Sequence, residues 1–448
     1  MAPELIRSIV LVGFMGAGKS TLAEALAGEL DVPWSDSDSE VEALEGRPVA
    51  EIFEQDGEAA FREVEAGVVR RLLGARPRVI ALGGGSLGDP GVREMLEAHL
   101  VVLVDVEEEE AWRRSEGSGR PLAADRERFS ALYRSREPQY LLAADAIVPA
   151  RLSDPAPLAG VLGAMASQPG PLPWLLWAVA GSDSYPCWIG EGALAADCWP
   201  AGGGRRFVIT DTSVGELYAG LVPRSAGLIE IPPGEEAKTL ETAERVWQAL
   251  AEQQATRADT VVALGGGVVG DLAGFCAAGY QRGVALVQVP TTLVAQVDSA
   301  YGGKTGVDLP AAKNYIGAYH QPEAVIADTA LLASLPPAEI AAGQAEVIKT
   351  GLIAGGELWA RIAAGEPLDP RMIRDCAWTK LKVVAADERD AGRRQVLNLG
   401  HTTGHAIEAV TGYSQLRHGE AVGLGLLAAL RLSGAGELRE QVLSLIHI

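Results

Sequence analysis

The sequence predicts an α/β protein in which a phosphate-loop module with a parallel sheet is followed by a second α/β module and a mainly α-helical end. Three observations carry this. Ser8 to Val12 is an apolar strand pattern that runs into Gly13-Phe-Met-Gly-Ala-Gly-Lys-Ser-Thr21 and then a helical run. Between residues 205 and 290 short apolar runs alternate with glycine loops and helical stretches, as a parallel sheet requires. Further on the pattern turns helical, and His401, His405 and His418, three of the six histidines, crowd into 18 residues of it.

Composition narrows the function classes. A chain of 448 residues with 48% hydrophobic content can bury several cores. A net charge of −21 argues against nucleic acid or an anionic membrane surface as partner, so any anionic substrate must be gathered by locally basic sites. Cys187, Cys198, Cys276 and Cys376 form no CxxC pair, which reads as reduced thiols in a reducing compartment. No apolar run approaches the ~20 residues of a membrane span. The N-terminal run passes straight into a glycine loop and reads as a strand, not a signal peptide. A cytoplasmic enzyme is expected.

In the first module, GxxxxGK[ST] stands in its strand, loop, helix context. Gly16 and Gly18 free backbone N–H groups for phosphate oxygens at a helix N-terminus, where Thr21 also sits. Lys19 reaches the outer phosphates, and the Ser20 hydroxyl ligates Mg²⁺. A glycine turn that merely joins strand to helix is the competing reading, and the lysine and hydroxyl spacing speaks against it. Asp36 and Asp38 end a short second strand, Arg62 lies near the start of a helix beside Glu63 and Glu65, and Gly83-Gly84-Gly85 ends another strand. Arg120 lies in a polar, glycine-flanked segment, Ser115 to Arg128, with the look of a lid, and Arg136 precedes a proline. Each arginine alone reads as a surface ion pair; the ordered set after a phosphate loop reads otherwise.

Over its whole length and in motif order this module resembles shikimate kinase. The resemblance implies that Asp38 holds substrate hydroxyls and that Asp36 sits towards Mg²⁺ and the reacting hydroxyl. Arg62 and Arg136 would hold the shikimate carboxylate, Gly83, Gly84 and Gly85 would give close backbone approach, and Arg120 would close over ATP. The chemistry is coherent, because phosphoryl transfer needs charge neutralisation and positioning, and planar guanidinium forks suit a carboxylate.

The expected domains are 1–167 for the kinase-like part, a linker at 168–181, an α/β part at 182–328 and a helical part at 329–448. The linker region is rich in proline, glycine and alanine, yet its LPWLLWAV run is too apolar for a floppy tether, so it is expected to pack or extend a strand.

In the second module GGGVVGD at Gly265 to Asp271 would let a pyrophosphate approach a helix N-terminus, although a triple glycine after a strand is a turn about as often. His401 and His405, four residues apart, share a helix face, with His418 beyond a Gly-Tyr-Ser turn. That spacing suits a divalent metal held by both histidines of the pair; a helix cap, a core residue and a loop residue is the alternative.

The succession VPTTLVAQVDSAYGGKTG, AEVIK, LNLGHTTGHAIE and RHGE resembles 3-dehydroquinate synthase from about Trp188 to Leu432. The resemblance implies metal ligation by Glu346, His401 and His418, with Zn²⁺ or Co²⁺ as the ion. It makes His405 an active-site group instead of a ligand. Lys304, Lys349, Lys380, Arg394 and Asn398 would meet the phosphate and carboxylate of the substrate, and Asp298 would contact it around C4. For NAD, Asp211 would reach the ribose or adenine region, with Glu235 and Lys238 in a neighbouring loop. Gly267, Val268, Val269, Gly270 and Asp271 would take the pyrophosphate, and Thr291, Thr292, Lys313 and Asn314, with Lys304, would line the nicotinamide side.

The implied reaction takes 3-deoxy-arabino-heptulosonate 7-phosphate through transient oxidation at C5, elimination of phosphate, return of the hydride, ring opening and aldol closure to 3-dehydroquinate. The implied whole is a bifunctional enzyme of aromatic biosynthesis whose partners are shikimate, ATP and the heptulosonate phosphate, with dimerisation through the synthase part. The family pattern also implies more helix beyond Ile448, so a C-terminally incomplete synthase part is expected, and a shorter surface helix between Glu346 and His401. Two competing readings are a working kinase joined to an inactive synthase-like scaffold, and a metal- and NAD-dependent polyol dehydrogenase, which would accumulate NADH.

Overall fold

The computed structural model describes residues 4–116, 125–181, 183–202, 204–310, 312–411 and 415–446, and the chain divides into two compact units, Met1–Trp177 and Ala178–Ile448. In the first unit Ile9–Val12 (β1), Trp34–Asp36 (β2), Val79–Ala81 (β3), Leu100–Asp105 (β4) and Ala146–Pro149 (β5) pair in the order β2-β3-β1-β4-β5, all parallel. The central strands are continuous apolar runs because helices cover both sheet faces; Ile9, Val10, Leu11 and Val12 are all buried. Gly13, Ser37 and Leu82 directly follow β1, β2 and β3, so the conspicuous loops gather at the carboxyl ends of the strands, where ligands bind in open parallel sheets.

Trp174–Ala180 (β6) lies inside the stretch assigned as linker. Leu175 and Leu176 pair in parallel with Ala146 and Ile147 of β5, and both are buried, as is Trp177. Each such side chain stabilises the fold by about 1.5–3 kcal/mol. Residues 168–181 are therefore not a free linker over their whole length, and the units part within this strand.

In the second unit Asp183–Gly190 (β7), Arg206–Asp211 (β8), Ser225–Ile231 (β9), Thr260–Gly265 (β10) and Ala285–Pro290 (β11) are followed by a hairpin, Lys304–Leu309 (β12) and Ala312–Tyr319 (β13), and by Ala324–Asp328 (β14). The parallel sheet has the order β7-β14-β11-β10-β8-β9. The helices Leu240–Glu252 and Gly267–Gly279 pack on it through Ala243, Val246, Leu250, Leu272 and Cys276, against Phe207, Ile209 and Val261. Beyond β14 the chain is helical, with Pro337–Ala354, Pro370–Ala386, His401–Val410 and His418–Leu432 as the main elements. A short helix, Gly356–Ala363, follows the break at Gly355 and Gly356, whose φ angles are 65° and 54°. All four cysteines are free and buried, and among the described residues no helix is long and apolar enough to cross a membrane.

The amino ends of β8 and β10 are tied by Asp259. Its Oδ1 accepts from the Arg205 backbone N–H at 2.8 Å, and its Oδ2 accepts from the Arg205 guanidinium at 2.9 Å, the Thr256 N–H at 2.7 Å and the Thr256 hydroxyl at 2.9 Å. Burial alone would raise this carboxyl's pKa, but Arg205 and the backbone donors outweigh it and hold it well below the usual range. A group depressed in the folded state contributes stability that is present above its unfolded pKa and lost as pH falls through the folded value. Asp259→Ala should lower the stability of the second unit by about 2 kcal/mol at neutral pH. Between about pH 5 and 3 its stability should also fall less steeply than the parent's, as denaturant titrations at each pH would record.

Candidate active sites

In the first unit the phosphate loop is shaped by its glycines. Gly16 and Gly18 have φ angles of 80° and 88°, and Gly18 precedes the helix Lys19–Leu30. A Cβ at Gly13 would stand 2.5 Å from the Val104 carbonyl oxygen, so the loop runs against β4 where only glycine fits. Lys19 folds back over the loop, its Nζ donating to the Gly13 and Phe14 carbonyls at 2.9 and 3.1 Å. The Ser20 hydroxyl donates to Asp36 Oδ2 at 2.5 Å, while Asp36 Oδ1 accepts from the N–H groups of Asp38 and Ser39 and so caps the helix Ser37–Glu45. The two predicted cation contacts are thus brought together. Thr21 lies beside Ser20 in the same first turn.

A cavity of about 730 Å³ lies nearby, lined among others by Arg62, Arg136, Tyr140, Gly84 and Gly85. Both predicted carboxylate-binding arginines therefore face one space. Arg62 is aimed by Glu65 at 2.6 Å and Glu58 at 3.1 Å, and buried Glu65 is itself fixed by the Ser86 hydroxyl at 2.8 Å. A Cβ at Gly85 would lie 2.3 Å from the Arg62 guanidinium, and one at Gly83 would lie 2.6 Å from Asp38 Oδ1, so the glycines make room for predicted site groups. The Tyr140 hydroxyl donates to the Gly84 carbonyl at 2.5 Å, and burial pushes its pKa up to about 12, so it stays a neutral donor. Sequence reasoning did not single out Glu65, Ser86 or Tyr140 as parts of this wall. Arg120 and the centre of its lid segment lie outside the described residues.

In the second unit a cavity of about 1170 Å³ opens at the carboxyl ends of β8, β10 and β11. Asp211, Gly267, Val268, Val269, Asp271, Thr291 and Thr292 line it with Glu235, Lys238, Lys304, Lys313 and Asn314. Asp211 Oδ1 is engaged as the cap of the helix Thr212–Tyr218, accepting from Ser213 and Val214 N–H groups. Lys238 pairs with Asp271 at 2.7 Å; burial opposes its charge, but Asp271 and Glu235 outweigh burial and raise its pKa. Gly270 packs against Gln288 behind the wall and does not line the cavity.

The same cavity is lined by Asp298, Glu346, Lys380, Arg394, Asn398, His401, His405 and His418. Glu346, on Pro337–Ala354, is 1% exposed; its Oε2 is paired with Lys349 Nζ at 2.5 Å, and its Oε1 accepts no hydrogen bond. The Nε2 atoms of His401 and His418 both stand 3.6 Å from Glu346 Oε1. Donors of a tetrahedral ion with bonds of about 2.1 Å are about 3.4 Å apart, so this spacing fits one cation among three donors. His401 Nδ1–H donates to the Leu399 carbonyl at 3.3 Å, leaving Nε2 as the free lone pair. His405 is not among these three donors, although its ring centroid lies as near to that of His401, at 5.4 Å, as that of His418 does, at 5.3 Å. It belongs with Glu408 and His418 to a second, more exposed group of donors. Glu408 was not foreseen, although His401, His405 and Glu408 fall on one helix face.

Burial works against the charge of His418, but Glu408 and Glu346 outweigh it and raise its pKa; burial lowers that of His401 and His405. Asp298 is carried on a wide π-type turn, Ala295–Ser299. Lys349 reaches its Oδ2 at 2.7 Å, and Lys380 donates both to its Oδ1 and to its backbone carbonyl at 2.6 Å. Burial would raise the Asp298 pKa, yet the two lysines hold it well below the usual range. One expectation is corrected here. Lys349, assigned to meet an anionic substrate, does not line the cavity; it is 1% exposed and bridges Glu346 at 2.5 Å and Asp298, because only those carboxylates can offset its buried charge.

The helices bearing the three donors approach through glycine. A Cβ at Gly419 would lie 1.8 Å from the Ala342 carbonyl oxygen, and one at Gly425 would lie 1.9 Å from that of Gly400. Gly419→Ala should force His418–Leu432 away from Pro337–Ala354 and weaken Co²⁺ binding at least tenfold. It should also destabilise the unit by about 1–3 kcal/mol or more, as metal titration and denaturant unfolding would show.

The family models agree with this division. The model for shikimate kinase matches residues 15–163, that for the N-terminal part of 3-dehydroquinate synthase residues 228–342, and that for its C-terminal part residues 343–446. The chain is 50% identical over 240 residues to the 3-dehydroquinate synthase of Halorhodospira halophila, spanning 51% of this chain and 68% of that protein. Among solved structures it is similar to 2-deoxy-scyllo-inosose synthase complexed with carbaglucose-6-phosphate, NAD⁺ and Co²⁺, with TM-score 0.56 and 27% identity over 61% of this chain and 82% of that one. It is also similar to 2-epi-5-epi-valiolone synthase from Streptomyces hygroscopicus with NAD⁺ and Zn²⁺ bound, with TM-score 0.52 and 26% identity over 60% and 84% of the two chains.

Proposed function

The chain belongs to the 3-dehydroquinate synthase family and carries a shikimate kinase module ahead of the synthase part, and on that premise we propose how its two cavities divide the chemistry. The protein is a bifunctional enzyme of the shikimate pathway. The first unit transfers the terminal phosphoryl group of ATP to the 3-hydroxyl of shikimate. Lys19 and the loop N–H groups hold the phosphates, Ser20 and Asp36 hold Mg²⁺, Arg62 and Arg136 take the carboxylate, and Asp38 takes ring hydroxyls. Mg²⁺ with ATP supplies the charge neutralisation that phosphoryl transfer requires.

The second unit converts 3-deoxy-arabino-heptulosonate 7-phosphate to 3-dehydroquinate and phosphate. The observation that carries this reading is the convergence of Glu346, His401 and His418 in a cavity that is also lined by a glycine turn at a helix N-terminus. Its volume of about 1170 Å³ exceeds the roughly 300–1,000 Å³ of an ordinary small-molecule site, so a dinucleotide and a sugar acid fit together. NAD⁺ supplies the transient oxidation and its reversal, and Zn²⁺ or Co²⁺ held by the three donors polarises vicinal oxygens as a Lewis acid. The chain's own contribution is placement. Gly267 to Val269 and Asp271 face the pyrophosphate, Thr291, Thr292, Lys313 and Asn314 the nicotinamide side, and Asp211, Glu235 and Lys238 the ribose side. Lys304, Lys380, Arg394 and Asn398 collect the two anionic groups of the substrate, and His405 stands beside its ring. Lys349 neutralises Glu346 from behind. The reading includes a cytoplasmic enzyme with small-molecule partners, no nucleic acid or membrane, and a homodimer through the synthase part.

Two assays test the division: ATP consumption that depends on shikimate, and phosphate release from the heptulosonate phosphate that depends on NAD⁺ and a divalent ion. Lys19→Ala should depress the first by roughly a thousandfold and leave the second. His418→Ala should remove bound metal and the second activity alone. Loss of both activities from either change would overturn separable sites, and phosphate release that survives full chelation would overturn the metal assignment.

A further inference from the structure

We propose that Glu408 is a positioning residue that orients His418 towards Glu346, and that Lys313 holds Glu408 in place. The inference rests on the reading of Glu346, His401 and His418 as donors to one cation. Glu408 lies on His401–Val410 and is 3% exposed. Its Oε1 stands 3.4 Å from His418 Nδ1 and 3.5 Å from Lys313 Nζ, while its Oε2 is buried and accepts no hydrogen bond. An imidazole presents a lone pair on one nitrogen only when the other carries the proton. The Glu408 carboxylate keeps that proton on Nδ1, so Nε2 of His418 faces Glu346 Oε1 as a donor.

The two histidines are handled alike by different means. His401 gives its Nδ1–H to the Leu399 carbonyl, and His418 Nδ1 stands 3.4 Å from a carboxylate oxygen on another helix. The second arrangement needs an anchor, because a carboxylate on a rotatable stem does not fix an angle unaided. Lys313 supplies it from β13 and reaches Glu235 at the same 3.5 Å. Lys313, itself part of the cavity lining, thereby bears on the orientation of one metal donor through Glu408.

The test is Co²⁺ titration of the full chain by chelator competition, with the visible d–d spectrum of the bound ion as a second readout. Glu408→Gln should weaken Co²⁺ binding about tenfold, and Glu408→Ala by about 10–100-fold with an altered d–d band, while NAD⁺ affinity stays within twofold of the parent. Lys313→Met should weaken binding in the same direction by a smaller factor. Parent-like affinity and spectrum in Glu408→Gln overturn the proposal, and that variant, being nearly isosteric, decides the matter even if Glu408→Ala fails to fold. Glu346→Gln in the same titration separates the underlying reading. If it loses Co²⁺ while the Glu408 variants keep it, the donor set stands and Glu408 has no role. If it keeps Co²⁺ while Glu408→Gln loses it, Glu408 is itself a ligand, and both the donor set and this proposal fall.

Discussion

The metal donors depend on one steric allowance. At Gly419 the helix that begins with His418 presses on the backbone of Pro337–Ala354, at the carbonyl of Ala342 one turn before Glu346. Gly425, further along the same helix, presses on the carbonyl of Gly400, immediately before His401. One helix is therefore seated against the neighbours of both other donors by contacts that leave no space for a methyl group. Rigid backbone contact is a better determinant of donor spacing than side-chain packing, since it has no rotamers to relax.

Charge is balanced as tightly as shape. Glu346, Asp298, Lys349 and Lys380 form a nearly neutral cluster of two carboxylates and two ammonium groups, of which all but Lys349 line the cavity. A buried ion without such a partner costs several kcal/mol. The arrangement satisfies Glu346 Oε2 through Lys349 and leaves Oε1 without a hydrogen bond, as a ligand atom for a cation should be. Arg394 is fixed by the Glu388 carbonyl at 2.6 Å and the Gly302 carbonyl at 3.1 Å, neither of which consumes its positive charge. It remains available to an anion in a molecule whose overall charge is −21.

Much of this was legible in the sequence, for physical reasons. The phosphate loop is local, so its residues announce themselves by spacing, and the same holds for the parallel strands with their unbroken apolar runs. The pairing of Glu346 with histidines 55 and 72 residues away was not legible from spacing, since separation along the chain says nothing about helix packing. Spacing paired His401 with His405 because neighbours on one helix are visible and contacts between helices are not, and the crowding of histidines brought in His418. Family resemblance, not periodicity, supplied Glu346. Lys349 was read as a cavity residue because its type suits phosphate, and burial inverts that role. Glu408 escaped notice because it acts by holding another side chain, and such a partnership leaves no mark in a linear pattern; Glu65 was seen beside Arg62, but not as part of the cavity wall. The apolar run at Trp174–Ala180 was correctly taken as too hydrophobic for a tether, although its pairing with β5 required coordinates.

The division of the chain at Trp177 and Ala178 has a consequence for metabolic supply. Two catalysts that act at nonconsecutive steps are made by one translation event, so they occur in equal numbers in every cell. Their relative capacities cannot be adjusted by gene expression and must instead be written into the turnover number of each cavity.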